Sequence, residues 1–373
     1  MLLILAIAFG LLFIHPYVTY PLSLLVFRVR RPVLQPDAVP PSATLVFCAY
    51  NEAATMSEKI ANLRLIKEIV PDIQFKAYVD LSTDDTLAIL RQHGDLIDVR
   101  AAEQRTGKAL GMRHLVAATT TDIIIFTDAN VIVDPPSVLR LLEYFSDPQV
   151  GGVCGQLVYV NPDESATSGV NSIYWQLEER IKRWESRSGS TMGADGALFA
   201  TRRAYYPEVP AHLVDDFIAS MSIVFAGLRL VSAPDVFAYE RGAADSGDEF
   251  RRKRRIACGA YSSHRHLVPR LARMSMLDLY KYGSHRVIRW YGAASAALSA
   301  LFGLAWIGAS FGWLWTLGFT ILGTVAIAAV LAQRRGPGAR IGELLRALVA
   351  TMLGVIDAWR GKRYQTWEPA QTR

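Results

Sequence analysis

The sequence reads QFKAYVDLSTDDT over residues 74–86, so that an apolar run ends in three carboxylates and three hydroxyl groups. One explanation is a helix start, because Ser82 or Thr83 can cap a helix whose dipole then favours Asp84 and Asp85 in its first turn. The other explanation is a polar ligand site at the end of a buried strand. The segments on either side of this stretch decide between them.

Apolar, β-branched segments alternate with amphipathic ones along this part of the chain. The pattern predicts strands at residues 43–50, 74–80, 97–102 and 122–129, and helices at residues 53–70, 84–94 and 108–119. Strands that alternate with helices indicate βαβ units and a mostly parallel sheet. The predicted fold class is therefore α/β, with helices flanking the sheet.

A polar loop follows each of these strands. The loops read YNEA (50–53), DLSTDD (80–85), EQRTGK (103–108) and DAN (128–130). In open α/β sheets, ligands bind at the edge formed by the carboxyl ends of the strands. A charged cluster that recurs at one edge predicts a polar ligand site that includes a cation.

The alternation of apolar and amphipathic segments continues to residue 261. Residues 151–160 and 231–240 are predicted strands, and residues 170–187, 214–230 and 248–261 have helical patterns. The last of these contains RRKRR at 251–255 and is strongly basic.

The apolar excess of the chain is concentrated at its two ends. The protein has 373 residues, 51% of them hydrophobic, and a mean hydropathy of +0.20. Residues 2–27 are long and apolar enough to cross a hydrocarbon core of about 30 Å. A signal peptide explains them less well, because a basic n-region is missing. RVRRP (28–32) follows directly, and the positive-inside rule places it in the cytoplasm.

Two further apolar segments, residues 287–310 and 312–332, predict a transmembrane hairpin with a basic cytoplasmic segment, QRRGPGAR (333–340), after it. Residues 344–359 favour an interfacial helix, with a third membrane helix as the alternative. The predicted organisation is a transmembrane helix (1–27), a basic, proline-rich linker (28–42), a cytoplasmic catalytic domain (43–261), an interfacial segment (262–286), a transmembrane hairpin (287–332) and a cytoplasmic tail (333–373). Such a protein is multi-pass in the inner, or plasma, membrane.

Cysteine spacing and net charge exclude several classes of protein. The chain has three cysteines, Cys48, Cys154 and Cys258, and none of them belongs to a C-x-x-C motif. Neither a zinc site nor a disulfide framework is therefore indicated. The cysteines are instead expected to be reduced, as in a cytosolic domain. The net charge is +6. Because the basic residues cluster near the apolar ends and in RRKRR, anionic membrane lipids explain them more simply than nucleic acid.

Seven segments, in this order, resemble glycosyltransferase family 2, and more narrowly its membrane-bound polysaccharide-synthase branch, the relatives of cellulose, hyaluronan and poly-N-acetylglucosamine synthases. The segments are YNEA (50–53), VDLSTDDT (79–86), RTGKALGM (105–112), TDAN (127–130), GADGALFATRR (193–203), VDD (214–216) and RRKRRI (251–256). The resemblance implies a GT-A-like fold, that of nucleotide-diphospho-sugar transferases, over the catalytic domain.

The resemblance also implies a donor site at the strand ends. The residues placed around the donor nucleotide are Tyr50, Glu52, Asp80, Lys108 and Asp128. A divalent cation, Mg²⁺ or Mn²⁺, is expected on Asp128 and Asn130, because hard cations prefer oxygen ligands and can bridge the two phosphates. Asn130 offers only a neutral oxygen where the family has a second acid, and it is alternatively a turn or helix-capping residue.

The acceptor side follows from the later motifs. The resemblance places the general base at Asp216, in an enzyme that inverts the anomeric centre. The acceptor or diphosphate region is expected at Gly193, Asp195, Asp215, Arg252 and Arg255. Asp215 and Asp216 are alternatively the acidic first turn of a helix. Ile256 stands where the family has a tryptophan, and the arginines before it fit either a diphosphate clamp or a lipid surface.

The predicted activity is inverting transfer of a sugar from a nucleotide diphosphate, expected to be a UDP-sugar, to a growing extracellular polysaccharide. Two alternatives stay open: transfer of a single sugar to a membrane lipid, and an inactive homologue that acts as a binding or regulatory subunit. Because three spans make a poor pore, a homo-oligomer or an export partner is expected as well.

Overall fold

A computed structural model describes residues 1–35, 38–161, 166–242, 245–333 and 336–367. Pro36 and Asp37 of the predicted linker, and Arg334 and Arg335 of the predicted basic segment, lie outside the described residues.

The centre of the protein is one sheet, which has eight strands across the described residues. The strands are β1 (Ala43–Ala49), β2 (Gln74–Val79), β3 (Asp98–Ala101), β4 (Ile123–Asp128), β5 (Ile132–Val133), β6 (Val150–Tyr159), β7 (Leu198–Arg202) and β8 (Arg229–Glu240). Their order across the sheet is β3-β2-β1-β4-β7-β6-β8-β5. All the predicted strands are confirmed, whereas β5 and β7 were not predicted.

The prediction of a mostly parallel sheet is confirmed in part, because four of the seven strand pairings among the described residues are parallel but the sheet as a whole is mixed. Strand β7 runs antiparallel to both of its neighbours, β4 and β6, and β5 is antiparallel to β8. The pairing of Thr127 with Leu198 brings the segment before β7 to the carboxyl end of β4. A strand–helix alternation does not reveal strand direction, and for that reason the sequence pattern missed this reversal.

Helices cover both faces of the sheet and form the two ends of the chain. Among the described residues they are α1 (Leu2–Ile14), α2 (Thr19–Ser23), α3 (Ala53–Ile69), α4 (Thr86–Arg91), α5 (Lys108–Ala117), α6 (Pro135–Glu143), α7 (Ala166–Arg187), α8 (Asp215–Phe225), α9 (Ser246–Leu267), α10 (Met276–Tyr282), α11 (Ile288–Trp290), α12 (Gly292–Phe311), α13 (Trp313–Ala332) and α14 (Gly336–Trp359). Within the segment 214–230, the helix α8 ends at Phe225, because Gly227 takes a positive φ of 77° and β8 begins two residues later.

Alternate strand residues point into two cores, one on each face of the sheet. Phe47 of β1 faces a core built with α3 and α6, whereas its neighbour Cys48 faces a core built with α5 and α8. Both cores are apolar and closely packed, and they hold the strand ends in fixed positions. The polar loops at those ends therefore sit on a rigid base.

Two helices of the described residues, α12 and α13, are long and apolar enough to cross a membrane. The predicted single span over residues 1–27 is corrected: α1 has 13 residues, about 20 Å, and the chain bends by 69° before α2 continues. Pro16 lies in the break and cannot continue the helical hydrogen bonding. If the two helical parts on either side of this bend are taken as one span, the described residues have three candidate spans instead of two.

Helix α14 packs along α9. Arg254 of α9 donates to both carboxylate oxygens of Asp357, at 2.7 and 2.9 Å. The two helices approach so closely at Gly354 that a Cβ there would collide with the Arg254 carbonyl oxygen. Among the described residues, α14 is not one of the helices apolar enough to span a membrane.

Close packing of α5 on the sheet leads to a stability prediction. A Cβ at Gly111 would lie 2.6 Å from the Tyr78 ring and 2.8 Å from Cys48 Sγ. Gly111→Val should lower the free energy of unfolding by about 1–3 kcal/mol, because overpacking pushes α5 away from the strands. Thermal unfolding in detergent measures this effect, with Gly94→Val on an exposed turn as the control. An unchanged unfolding temperature for Gly111→Val would contradict this packing.

Candidate active site

Asp80, at the end of β2, holds the loop that precedes α5. Its side chain is fully buried. It accepts hydrogen bonds from the backbone N–H groups of Thr106 and Gly107, at 2.7 and 3.1 Å, from the Thr106 hydroxyl, and from Arg105 Nε at 3.1 Å. The predicted nucleotide residue is thus engaged with the protein, and its contribution to the donor site runs through the position of this loop.

The first two strand-end loops are joined to each other. Asn51 has a positive φ of 52°, and its side-chain oxygen accepts a hydrogen bond from the Thr83 backbone N–H at 2.8 Å. Asp84 accepts from the N–H groups of Ala53 and Thr86. Burial alone would raise the pKa of Asp84, but these hydrogen bonds lower it. Neither Ser82 nor Thr83 is the helix cap, since α4 begins only at Thr86.

An ion pair joins α5 to the end of β4. Lys108 Nζ donates to Asp128 Oδ1 at 2.5 Å. Burial would lower the pKa of Lys108, but the carboxylates of Asp128, Asp215 and Asp216 together raise it. Beneath the pair, the buried Lys59 ammonium donates to the backbone carbonyl oxygens of Asp128 at 3.1 Å and Val131 at 2.7 Å. The turn that carries Asp128 is therefore held from both sides.

Gly196 has no side chain, which lets charged groups from three elements approach one another closely. A Cβ at Gly196 would lie 2.6 Å from Lys108 Nζ, 2.9 Å from Asp216 Oδ2 and 3.7 Å from Asp128 Oδ2. The predicted base, the lysine and the predicted metal ligand thus meet around one point. The antiparallel strand β7 delivers Gly196 to this place.

Asp215 and Asp216 both occupy the first turn of α8, where the helix dipole favours anions. Burial and the charge of Asp215 raise the pKa of Asp216 to about 7. Burial likewise raises the pKa of Asp215. A carboxyl group with a pKa near neutrality is well matched to general base catalysis. Capping and catalytic interpretations are thus compatible at Asp216.

Asp195 is paired with a buried lysine. Its Oδ2 accepts from Lys182 Nζ of α7 at 2.7 Å, and its Oδ1 accepts from the Ala197 N–H at 3.3 Å. Gly193, two residues earlier, has a φ of 109°, and its carbonyl oxygen accepts from Arg286 Nη2 at 3.4 Å. The predicted acceptor loop is therefore fixed by α7 on one side and by the segment before α11 on the other.

Several basic side chains of helix α9 pair with other groups of the protein. Arg252 pairs with Glu249 at 3.4 Å, and Lys253 donates to Glu249 and to Asn171 at 2.7 and 2.9 Å. Arg251, by contrast, is 73% exposed along its side chain. Arg255 is half-buried on the same helix. Most of the basic motif thus contacts protein, which leaves little of it for a lipid surface.

The arrangement at Asp128 fits a metal ion only with help from the substrate. Among the described residues, no group of three or more His, Cys, Asp or Glu side chains is placed to hold a metal ion. The Asn130 amide nitrogen donates to Glu240 Oε1 at 3.1 Å. Asp128 Oδ2 lies close to Gly196, 3.7 Å from where a Cβ of that residue would be. One carboxylate can hold Mg²⁺ or Mn²⁺ when phosphate oxygens and water complete the shell, as is common for these ions.

Several residues of this site were not predicted from the sequence. Arg105 stacks its guanidinium 3.2 Å from the centre of the Tyr50 ring and donates to the Trp367 carbonyl oxygen at 2.8 Å. The Gln365 amide donates to the Thr106 carbonyl oxygen at 3.2 Å. The segment after α14 therefore reaches the donor loop. This contact joins residues about 260 positions apart, and no sequence pattern predicts it. The single tryptophan after the last helix, Trp367, is the one feature that could have suggested that this segment packs against the protein.

Residues 44–209 are similar to the family model Glycosyl transferase family 2. This match and the relatives named below identify the protein as a glycosyltransferase.

Individual relatives match over different lengths. An N-acetylglucosaminyltransferase of Azorhizobium caulinodans is 34% identical over 105 residues, covering 27% of this chain and 26% of the relative. The O-antigen chain rhamnosyltransferase RfbN of Salmonella typhimurium is 23% identical over 220 residues, covering 56% of this chain and 69% of the relative. This chain thus spans only part of the length of either relative.

A solved structure shows the same fold over almost the whole chain. It is a mannosyltransferase from Pyrobaculum calidifontis in complex with GDP-Man and Mn²⁺, with 19% identity and a TM-score of 0.72. The match covers 97% of this chain and 100% of that chain.

The close approach of charged groups around Gly196 generates a direct test of the site. Gly196→Ala should abolish transfer and weaken donor binding about tenfold or more, because the new methyl group collides with Lys108 and Asp216. Thermal unfolding should change little, since the residue is at the site and not in the core. Calorimetry with nucleotide sugars measures donor binding, and Gly94→Ala is the matched control. Normal binding and transfer by Gly196→Ala would show that the substrate lies elsewhere.

Proposed function

We propose that this protein is an inverting, nucleotide-diphosphate-sugar-dependent glycosyltransferase of the membrane-bound polysaccharide-synthase branch, acting on a growing extracellular polysaccharide. The observation that carries the proposal is the convergence of Lys108, Asp128 and Asp216 around Gly196. It brings a cation, a metal-binding carboxylate and a base to one point. A UDP-sugar is the proposed donor.

The reaction follows from these positions. An acceptor hydroxyl oxygen attacks the anomeric carbon, the bond from that carbon to the diphosphate oxygen breaks, and the hydroxyl proton passes to Asp216. A single displacement from the opposite face inverts the anomeric centre. The nucleotide diphosphate leaves with the electron pair of the broken bond.

Charge compensation is the second task of the site. When bound at Asp128, a divalent cation neutralises negative charge on the diphosphate. Lys108 adds a fixed positive charge next to the same carboxylate, at 2.5 Å. The loop at Arg105–Gly107, held by Asp80, presents Arg105 beside Tyr50, where a nucleotide base and ribose are proposed to bind.

The acceptor class is supported by the relatives and by the apolar helices. The relatives are named for N-acetylglucosaminyl transfer and for O-antigen chain rhamnosyl transfer, which are saccharide chemistries. Helices α12 and α13 are long and apolar enough for a membrane hairpin. Together with the basic segments beside the apolar ends, they support a catalytic domain on the cytoplasmic face. Export through the membrane then needs a second copy or a partner protein.

Transfer of a single sugar to a membrane lipid is the second candidate. Helix α13 buries no residue in the protein, so the hairpin fits a simple anchor better than a pore. An inactive binding subunit is disfavoured, because Lys108, Asp128 and Asp216 meet in one place.

The general base gives the decisive test. Asp216→Asn keeps the size and the capping ability of the side chain, so the fold and donor binding should survive. Transfer should fall by about 10²–10⁴-fold, because the amide cannot accept the proton. Nucleotide-sugar affinity by calorimetry and transfer by product assay are measured together, with the exposed Asp98→Asn as the control. A variant that transfers within about threefold of wild type would move the base to another residue.

Metal dependence tests Asp128 separately. Chelation should abolish transfer, and added Mn²⁺ or Mg²⁺ should restore it. Asp128→Asn should raise the metal concentration needed for half-maximal activity by about tenfold or more, because the charged ligand is lost. Full transfer by the wild type in excess chelator would be incompatible with this role.

A further inference from the structure

Asn130 and Glu240 form a hydrogen-bonded pair next to Asp128. The Asn130 amide nitrogen Nδ2 lies 3.1 Å from Glu240 Oε1. The short antiparallel ladder between β5 and β8, in which Ile132 lies opposite Tyr239, brings the two residues together. Asn130 is the second residue after Asp128 and stands where the family has a second acid. The carboxylate that the chain lacks at position 130 is therefore present one hydrogen bond further away.

The carboxylate fixes the orientation of the amide. An ionised carboxylate accepts hydrogen bonds and donates none, so the amide of Asn130 has to direct Nδ2, and not Oδ1, towards Glu240. Within the described parts of the chain, Asn130 Oδ1 itself accepts no hydrogen bond. An amide that donates to a charged acceptor also carries more negative charge on its oxygen. Glu240 thus makes the amide of Asn130 a better oriented and more strongly polarised oxygen ligand.

Glu240 is held firmly at the end of β8. It is only 5% exposed, and its backbone carbonyl oxygen accepts from the Val160 N–H at 3.0 Å. Burial would lower the pKa of Arg252, but Tyr159, Glu249 and Glu240 together raise it. A guanidinium near Glu240 compensates the buried negative charge. The carboxylate is therefore a fixed support for the side chain of Asn130.

The pair also gives a physical reason for the asparagine at position 130. An aspartate there would place a second carboxylate against Glu240, and like charges at such a distance repel each other. The amide donates a hydrogen bond instead. The chain thus carries the negative charge of this pair on Glu240 and the oxygen ligand on Asn130.

We propose that Glu240 is a positioning residue of the cation site, which acts through Asn130 by holding the amide oxygen of that residue towards a divalent cation bound at Asp128. The inference rests on the proposed transferase function, in which Asp128 holds Mg²⁺ or Mn²⁺. It adds to the site a residue that lies 110 positions from Asn130 in the chain and belongs to none of the sequence motifs.

Metal binding tests this role without relying on turnover. Purified full-length protein in detergent is titrated with Mn²⁺ in the presence of UDP or of GDP, and the electron paramagnetic resonance signal of free Mn²⁺ gives the Kd. Glu240→Gln should raise this Kd about tenfold or more, because the amide of Asn130 loses the charged partner that orients it. Glu68→Gln, at an exposed position on α3, is the matched control and should leave the Kd unchanged.

A double-mutant cycle shows whether Glu240 acts through Asn130. Asn130→Ala should raise the Kd by a similar factor. Adding Glu240→Gln to Asn130→Ala should then change the Kd by less than about twofold, because no amide is left to orient. An equal loss of Mn²⁺ affinity from Glu240→Gln in both backgrounds would show direct binding of the cation by Glu240, and would overturn the positioning role.

Moving the charge to position 130 guards against a folding defect. In the double variant Asn130→Asp with Glu240→Gln, the glutamine amide can donate to the new carboxylate, which supplies a charged ligand to the cation. This variant should bind Mn²⁺ at least as tightly as the wild type and should unfold at the same temperature. Asn130→Asp alone should unfold at a lower temperature in the absence of metal, because its carboxylate repels that of Glu240.

The outcomes distinguish the two levels of the hypothesis. A wild type that binds no Mn²⁺ with either nucleotide would overturn the proposed cation site at Asp128, and the role of Glu240 with it. A wild type that binds Mn²⁺, beside a Glu240→Gln variant whose Kd stays within about twofold of it, would overturn only the role of Glu240. That role is overturned in the same way if Glu240→Gln weakens binding and the additional change Asn130→Asp does not restore it.

Discussion

The ion pair between Lys108 and Asp128 is the constraint on which the catalytic edge depends. It joins the first residue of α5 to the last residue of β4, and Lys59 holds the same turn from below. Asp128 and Asp195 are each paired with a lysine, Lys108 and Lys182, whereas burial raises the pKa of Asp215 and of Asp216. The negative charge at this edge is thus reduced both by ion pairing and by burial.

The mixed sheet explains why residues far apart in sequence meet there. In a fully parallel sheet, the segment before β7 would lie at the opposite edge. Because β7 is reversed, Gly196 and Asp195 arrive beside Asp128, and α8 then brings Asp216 to the same place. One reversed strand therefore brings the residues proposed for the donor and those proposed for the acceptor together.

The sequence predicted the strand ends well, because Asp80 and Asp128 each follow an unambiguous apolar run. It did not predict how Asp80 is used, since hydrogen bonds to Thr106 and Gly107 depend on two loops meeting in space. The reversal of β7 and the bend after α1 were missed for the same reason: both are decided by tertiary packing. The pairing of Lys182 with Asp195 likewise joins elements whose spacing carries no periodic signal.

The contact of the segment after α14 with the donor loop has a practical consequence. Trp367 packs against Tyr50, with ring centroids 6.1 Å apart, and its carbonyl oxygen binds Arg105. A purification tag or fluorescent protein fused shortly beyond Trp367 would begin at the rim of the donor loop. Such a fusion is a poor choice for measuring native turnover, yet a small dye attached there would report on binding at Tyr50, where the nucleotide is proposed to lie.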